Sequence, residues 1–213
     1  MQVSQIRNHL RALGALPRHE ERVLRLWARA MPQDAGKRPL ESFMPRAVRL
    51  ALPALTAQWA GLARLESRHA GEDGSERLLV ALPDGQTVES VLLPRGGLCV
   101  STQVGCAVGC VFCMTGTGGL QRQLGSAEIV AQVALARALR PVHKVVFMGM
   151  GEPAHNLDNV LEAIQLLGTV GQIGHKNLVF STVGDPRAFT ALMALTKGQV
   201  RPCLLYTSDA ADE

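Results

Sequence analysis

No apolar run in the 213 residues approaches the roughly 20 residues that a helix needs to cross a bilayer. The N-terminus, MQVSQIRNHLRALGALPRHEERVLRLWARA, carries charge throughout, so it reads as neither signal peptide nor anchor, and the protein reads as cytoplasmic. Aromatic residues make up only 4% of the chain. Its two tryptophans, Trp27 and Trp59, lie in helical patterns and read as core packing rather than platforms for stacked bases. His143, His155 and His175 belong to no motif and read as surface or helix-end residues. The most informative absence is a fourth thiol. GCAVGCVFCMTG, residues 105–116, packs three cysteines into one short stretch, and the other two, Cys99 and Cys203, stand outside it.

What is present is a chain of ordinary globular composition, 47% hydrophobic, with a formal charge of +4. Such a balance suits an enzyme core as well as a nucleic-acid binder, whose lysines and arginines displace counterions from phosphates. Arg7, Arg11, Arg18, Arg22, Arg25 and Arg29 recur along the first helices, and the series alone reads as a solvated face. The last eleven residues, CLLYTSDAADE, have neither helical nor strand periodicity. Back-translated, CLLYTS spells a transposase end sequence used in preparing sequencing libraries, so residues 203–213 read as a non-native tail. Without Asp209, Asp212 and Glu213 the +4 becomes +7 over residues 1–202.

Residues 1–75 alternate apolar and charged positions at helical spacing, with breaks at GALP and MPQDAGKRP, and predict a helical accessory domain. RLLVALPDGQTVESVLLP predicts a β-hairpin over 76–96, turning at Asp84-Gly85. From 97 to 202 strands and helices alternate. LCVSTQV is a strand. SAEIVAQVALARAL (126–139) is a helix capped by Ser126. KVVFMGMG is a strand running into glycines, NLDNVLEAIQLLG a helix begun by Asn156, NLVFSTV a strand and DPRAFTALMAL a helix. The fold class is α/β: a helical domain and hairpin, then an incomplete (β/α) partial barrel whose chemistry belongs at the C-terminal ends of its strands. With three strand–helix units the strand NLVFSTV is expected to form an exposed apolar edge.

Cysteines clustered in a reducing compartment point to metal or redox chemistry rather than disulfides. Cys106, Cys110 and Cys113, in the order C-x3-C-x2-C, can hold three corners of a cubane [4Fe-4S] cluster and leave the fourth iron open to a ligand. Phe112 is expected to shield that cluster from water. The competing assignment is zinc with Cys99 as the fourth ligand, although its seven-residue gap to Cys106 departs from paired zinc knuckles.

C-x3-C-x2-C with an aromatic before the last cysteine resembles the signature of radical S-adenosylmethionine (SAM) enzymes, and the spacing to VFMGMGEP resembles their SAM-binding strand end. The resemblance implies that the cysteines hold the cluster, that Gly151 and Glu152 belong to the loop receiving the SAM amino group, and that the partial barrel is the N-terminal half of a radical SAM core. LCVSTQVGCAVGCVFCMTG, FMGMGEPAHNLDNV and LVFSTVG together resemble the RlmN/Cfr family of RNA adenine methyltransferases, from about Leu79 to Thr182. RlmN-type members methylate adenine C2 of large-subunit ribosomal RNA, some also of transfer RNA, and Cfr-type members methylate C8 of the same base; the resemblance implies C2 ahead of C8. It implies SAM and a [4Fe-4S] cluster as cofactors, an electron donor such as flavodoxin, a monomeric enzyme and no membrane.

In the family one SAM methylates a cysteine near the C-terminus, and a second SAM yields the radical that activates this methyl group for addition to the base. A second cysteine then releases the enzyme–RNA adduct through a disulfide. Cys99 matches that second cysteine, Glu89 in QTVESVLLP the general base, and Ser181 in FSTVG a SAM-contacting serine, although TVGDP departs from the commoner TSG. The methyl-carrying cysteine would lie downstream of these residues, so the chain as written is expected to be inactive. Two alternatives remain: a radical SAM enzyme acting on something other than RNA, and a zinc-bound RNA-binding module.

Overall fold

The computed structural model describes residues 1–204, so most of the segment read as a non-native tail lies outside the described residues. Three helices come first: α1 (Val3–Ala12), α2 (Pro17–Ala28) and α3 (Arg46–Ala60). In α1 the buried residues Val3, Ile6 and Leu10 recur every three or four positions, the spacing that puts side chains on one helical face. Pro17 opens α2, where a missing N–H costs nothing. Trp27 of α2 and Trp59 of α3 pack with ring centroids 5.5 Å apart at 45°, in the core as their sequence setting predicts.

Chain 64–70, inside the predicted helical domain, is instead strand β1 (Arg64–Ala70). RLESRHA has no apolar stripe, since neither face of this strand is deeply buried, and it is held by its ladder to β2 (Glu76–Ala81). β2 turns back through Gly85, at φ +82, into β3 (Thr87–Leu93). A positive φ favours glycine at that point.

β4 (Gly97–Val100) pairs antiparallel with β3, and then the sheet becomes parallel. Beyond a two-stranded ribbon of β5 (Gln103–Gly105) and β6 (Leu120–Gln123), the chain runs through α4 (Ser126–Leu139), β7 (Lys144–Phe147), α5 (Leu157–Gly168), β8 (Leu178–Thr182), α6 (Pro186–Thr196) and β9 (Arg201–Leu204). The sheet order is β1-β2-β3-β4-β7-β8-β9. β9 pairs in parallel with β8, placing Ser181 beside Cys203. NLVFSTV is therefore an interior strand and not the expected edge. The ladder also crosses the tail boundary placed after Pro202.

Strand order advances without reversal, and parallel crossovers are right-handed, so α4, α5 and α6 are expected on one face. Burial agrees. Leu78, Val80, Val88, Leu92, Leu98, Val100, Val145, Phe147, Leu178 and Phe180 are fully buried. Their alternates Arg77, Leu79, Glu89, Val91, Cys99 and Val179 are only partly buried or exposed. One face of the sheet is thus the dry core, and the other is open.

Two predicted caps differ in role. Gly125 is the N-cap of α4, and Ser126 is its first helical residue. The Ser126 hydroxyl donates to the Glu162 carboxylate on α5, and that carboxylate also accepts the N–H groups of Val3 (3.2 Å) and Ser4 (2.7 Å). Asn156 does begin α5, but its amide donates to the carbonyls of Thr102 (2.8 Å) and Leu124 (2.7 Å) instead of capping the helix.

Candidate active site

The C-terminal ends of β4, β7 and β8 meet in a knot of polar contacts. The Ser101 hydroxyl accepts from Met150 N–H at 2.8 Å and donates to the Glu89 carbonyl. Met150 carbonyl accepts from the N–H groups of Thr102 (2.9 Å) and Gln103 (3.1 Å). These bonds lay the GMGEP loop across the end of β4. Gly151 has φ +98, and a Cβ there would stand 2.6 Å from Gln103 Cγ. Glycine is thus required by the chain's own packing, a nearer reason than the approach of a ligand.

Glu152 is buried, and its carboxylate accepts three hydrogen bonds. Oε1 accepts from Ala154 N–H (2.9 Å) and the Thr182 hydroxyl (2.6 Å), and Oε2 accepts from Val183 N–H (3.0 Å). Gln103 Oε1 in turn accepts Glu152 N–H at 2.7 Å. Glu152 therefore clamps the loop after β7 to the end of β8. The resemblance places it in the loop that receives the SAM amino group.

Ser181 lies on β8, almost fully buried, and its hydroxyl has no hydrogen-bond partner; Thr102 Oγ1 is in the same condition. An unpaired buried hydroxyl costs on the order of 1–3 kcal/mol, so Ser181 at the end of β8 is suited to a polar ligand.

Between β5 and β6 runs the cysteine loop. Its start is fixed by Cys106 N–H to the Gly119 carbonyl (3.2 Å), and Gly105 and Gly109 take φ +73 and +68. Burial, followed by the charges of Cys113 and Cys106, raises the Cys110 pKa, so the three sulfurs sense one another. They do not stand at ligand spacing. Among the described residues no group of three Cys, His, Asp or Glu is close enough to hold a metal ion. Phe112 is 55% exposed and does not cover the thiols as expected; with Val111 and Met114 it forms an apolar rim to the loop.

Cys99 does not join the loop. It sits in β4 opposite Val91 of β3 and beside Val146 of β7, where burial pushes its thiol up to about 11. That position removes the fourth zinc ligand. Glu89 lies two residues from Val91 along β3, so it shares the open face with Cys99 and lies toward the cysteine-loop end. Arg77 Nη1 donates to Glu89 Oε1 at 3.0 Å across the β2–β3 ladder.

Three of the predicted residues, Glu89, Cys99 and Ser181, thus belong to the open face and its upper edge, while Glu152 and Gly151 build the loop beside them. Sequence reasoning missed Gln103 and Thr182, which hold that loop. The polar run STQ (101–103) was the sequence signal for Gln103, and the polar end of LVFSTVG that for Thr182.

Three thiols on one loop, next to orphaned hydroxyls at the C-terminal edge of a parallel sheet, fit a [4Fe-4S] cluster and a bound SAM. Residues 100–196 match the family model described as Radical SAM superfamily, and this stretch is a radical SAM domain. Its cofactors are accordingly a [4Fe-4S] cluster and SAM.

Among curated relatives, the chain is 72% identical over 204 residues to a probable RNA methyltransferase of Methylibium petroleiphilum, covering 96% of this chain and 57% of that protein. It is 69% identical over 213 residues to a probable RNA methyltransferase of Leptothrix cholodnii, covering 99% of this chain and 60% of that one. The second match runs past Pro202. In structure the chain is similar to a radical SAM methyltransferase from Sphaerobacter thermophilus, with a TM-score of 0.69 and 32% identity over 95% of this chain and 61% of that one. The chain spans about 60% of the length of the relatives it matches.

Proposed function

We propose that the whole protein methylates an adenine base of RNA, at C2 rather than C8, in large-subunit ribosomal RNA and in transfer RNA. The observation that carries this reading is the placement of Glu89 and Cys99 on one open sheet face, beneath the cysteine loop and the orphaned Ser181 hydroxyl. Relatives described as RNA methyltransferases support the substrate class.

Cys106, Cys110 and Cys113 would hold the cluster, and Ser181 would bond SAM. Bound there, the pair supplies the radical chemistry that an unactivated adenine carbon requires. Glu89, aimed by Arg77, takes the proton from the methylated carbon. Cys99 supplies the releasing thiol and must first lose its proton, against a burial that disfavours the thiolate. Gly151 and Glu152 keep the SAM loop in place. No helix among the described residues is long and apolar enough to cross a membrane. A cytoplasmic monomer served by a donor such as flavodoxin completes the reading.

The test is anaerobic reconstitution of the full-length protein, followed by methyl transfer from labelled SAM to RNA and nucleoside digestion. About four irons per chain are expected, with 2-methyladenosine as the product. Cys113→Ala should lose the iron, while Cys99→Ala should keep it and accumulate a covalent protein–RNA adduct. Full iron in Cys113→Ala would remove the assignment, and 8-methyladenosine would reverse the choice of carbon.

A further inference from the structure

The N-terminal helices carry a pocket with a cavity volume of 640 Å³, walled by Arg18, Arg22, Arg25, Lys37 and Arg38 around Phe43. It exists because one of these arginines is structural. Arg22 donates from Nη1 to the Gln33 carbonyl and from Nη2 to the Ala35 carbonyl, both at 2.8 Å, while its guanidinium lies 5.1 Å from the Phe43 ring centroid. Those bonds fold the 33–38 loop back onto α2, so that Lys37 and Arg38 face the side of α2 bearing Arg18 and Arg25, one and two turns apart. The pocket wall contains no carboxylate.

Outside the pocket some arginines are paired, and others, such as Arg29, Arg46, Arg64 and Arg140, have no carboxylate within 4.0 Å among the described residues. Arg7 and Arg11 hold Glu20, and Arg49, Arg68, Arg77 and Arg187 meet Glu41, Glu76, Glu89 and Asp185. Among the described residues, Arg18, Arg25, Lys37 and Arg38 have no such partner within 4.0 Å. Crowding of like charge shows in two neighbours. The Arg22 pKa is lowered by burial and then by Arg25, and that of His19 by burial and then by Arg18. A concave site with five cations in its wall, offset only in part by the nearby Asp34 charge felt at Arg22, is held at an electrostatic cost that a bound polyanion reduces.

We propose that this pocket grips backbone phosphates of the RNA substrate, away from the reacting base. The inference rests on the RNA reading above and adds to it a second, sequence-independent contact. Phosphate contacts fix register without reading bases, and lysine and arginine supply most of them. The pocket therefore positions the RNA and leaves the choice of base to the sheet face.

The experiment measures binding of a labelled RNA stem-loop to the full-length protein as a function of salt. Arg25→Gln/Arg38→Gln should weaken binding on the order of tenfold per cation at ~50 mM salt, and should make the log–log salt slope less negative by about 1.5. Arg25→Lys/Arg38→Lys, which keeps the charge, should retain most of the slope. Lys144→Gln/Lys176→Gln, at the opposite ends of β7 and β8, should change neither quantity, and all variants should keep the parent melting temperature. An unchanged slope in the Gln pair overturns the pocket while leaving RNA methylation standing. A preference for phosphatidylglycerol vesicles over RNA overturns it as well. Iron content and SAM cleavage, read on the same samples, report on the catalytic reading independently.

Discussion

At Gly151 two demands fall on one residue: a positive φ, and no room for a Cβ beside Gln103. Gly151→Ala should cost about 1–3 kcal/mol, from strained backbone and displaced packing. Thermal melting would show it, and adding Gln103→Ala should not rescue it, because the nearest atom is Gln103 Cβ, which alanine keeps. Cys99 makes a separate prediction. Burial raises its thiol to about 11 from an ordinary value of 9.0, so at pH 8 it is almost wholly protonated. Its alkylation by iodoacetamide should rise roughly tenfold per pH unit between 8 and 10, since only the thiolate reacts. The stability sign follows the same shift. The folded chain holds this proton more tightly than the unfolded chain, so the thiol's contribution is lost as pH climbs from 9 toward 11. A Cys99 that alkylates at pH 8 as fast as a free thiol would contradict its placement in the sheet.

At the scale of elements, Glu162 joins three pieces: it accepts the first N–H groups of α1 and the Ser126 hydroxyl of α4 while standing on α5. Glu162→Ala should cost about 1–2 kcal/mol, as loss of a helix cap does, and lower the melting temperature by several degrees. Ser126→Ala should cost less, because the Glu162 carboxylate keeps its bonds to α1. No such tie is written in the local sequence, since its partners lie more than thirty residues apart. Amphipathic helices and the Asp84-Gly85 turn were legible because period and turn chemistry are local. β1 was not, because RLESRHA is strand only by virtue of its partner, and β9 was not, because four half-exposed residues carry no period. The site divides in the same way. The cysteine spacing announces itself, whereas the inward turn of Glu152 depends on Thr182, thirty residues on. The arginine series on α2 was visible, but its convergence with Lys37 and Arg38 required the loop bonds of Arg22.

Across the whole molecule, one sheet carries a dry face and an open face, and stability should follow its centre. Amides of β4, β7 and β8, paired on both sides, are expected to exchange with deuterium most slowly, and those of β1 and β9 fastest among the strands. Uniform exchange across all seven strands would contradict that gradient. The antiparallel seam between β3 and β4 gives the sheet a further property. The radical SAM match begins at residue 100, yet Glu89 arrives on a strand outside it. Its address on the open face is fixed by parity alone. A single residue inserted into the Pro94–Gly96 link with β4 held in place would slip β3 by one position, sending Glu89 into the helix-packed core and Ser90 outward. Accessory domain and catalytic core therefore cannot be exchanged between enzymes as independent cassettes. Any swap that keeps this pairing must change the three-residue link by an even number, so this seam is where lineages of such proteins are expected to tolerate insertions only in pairs.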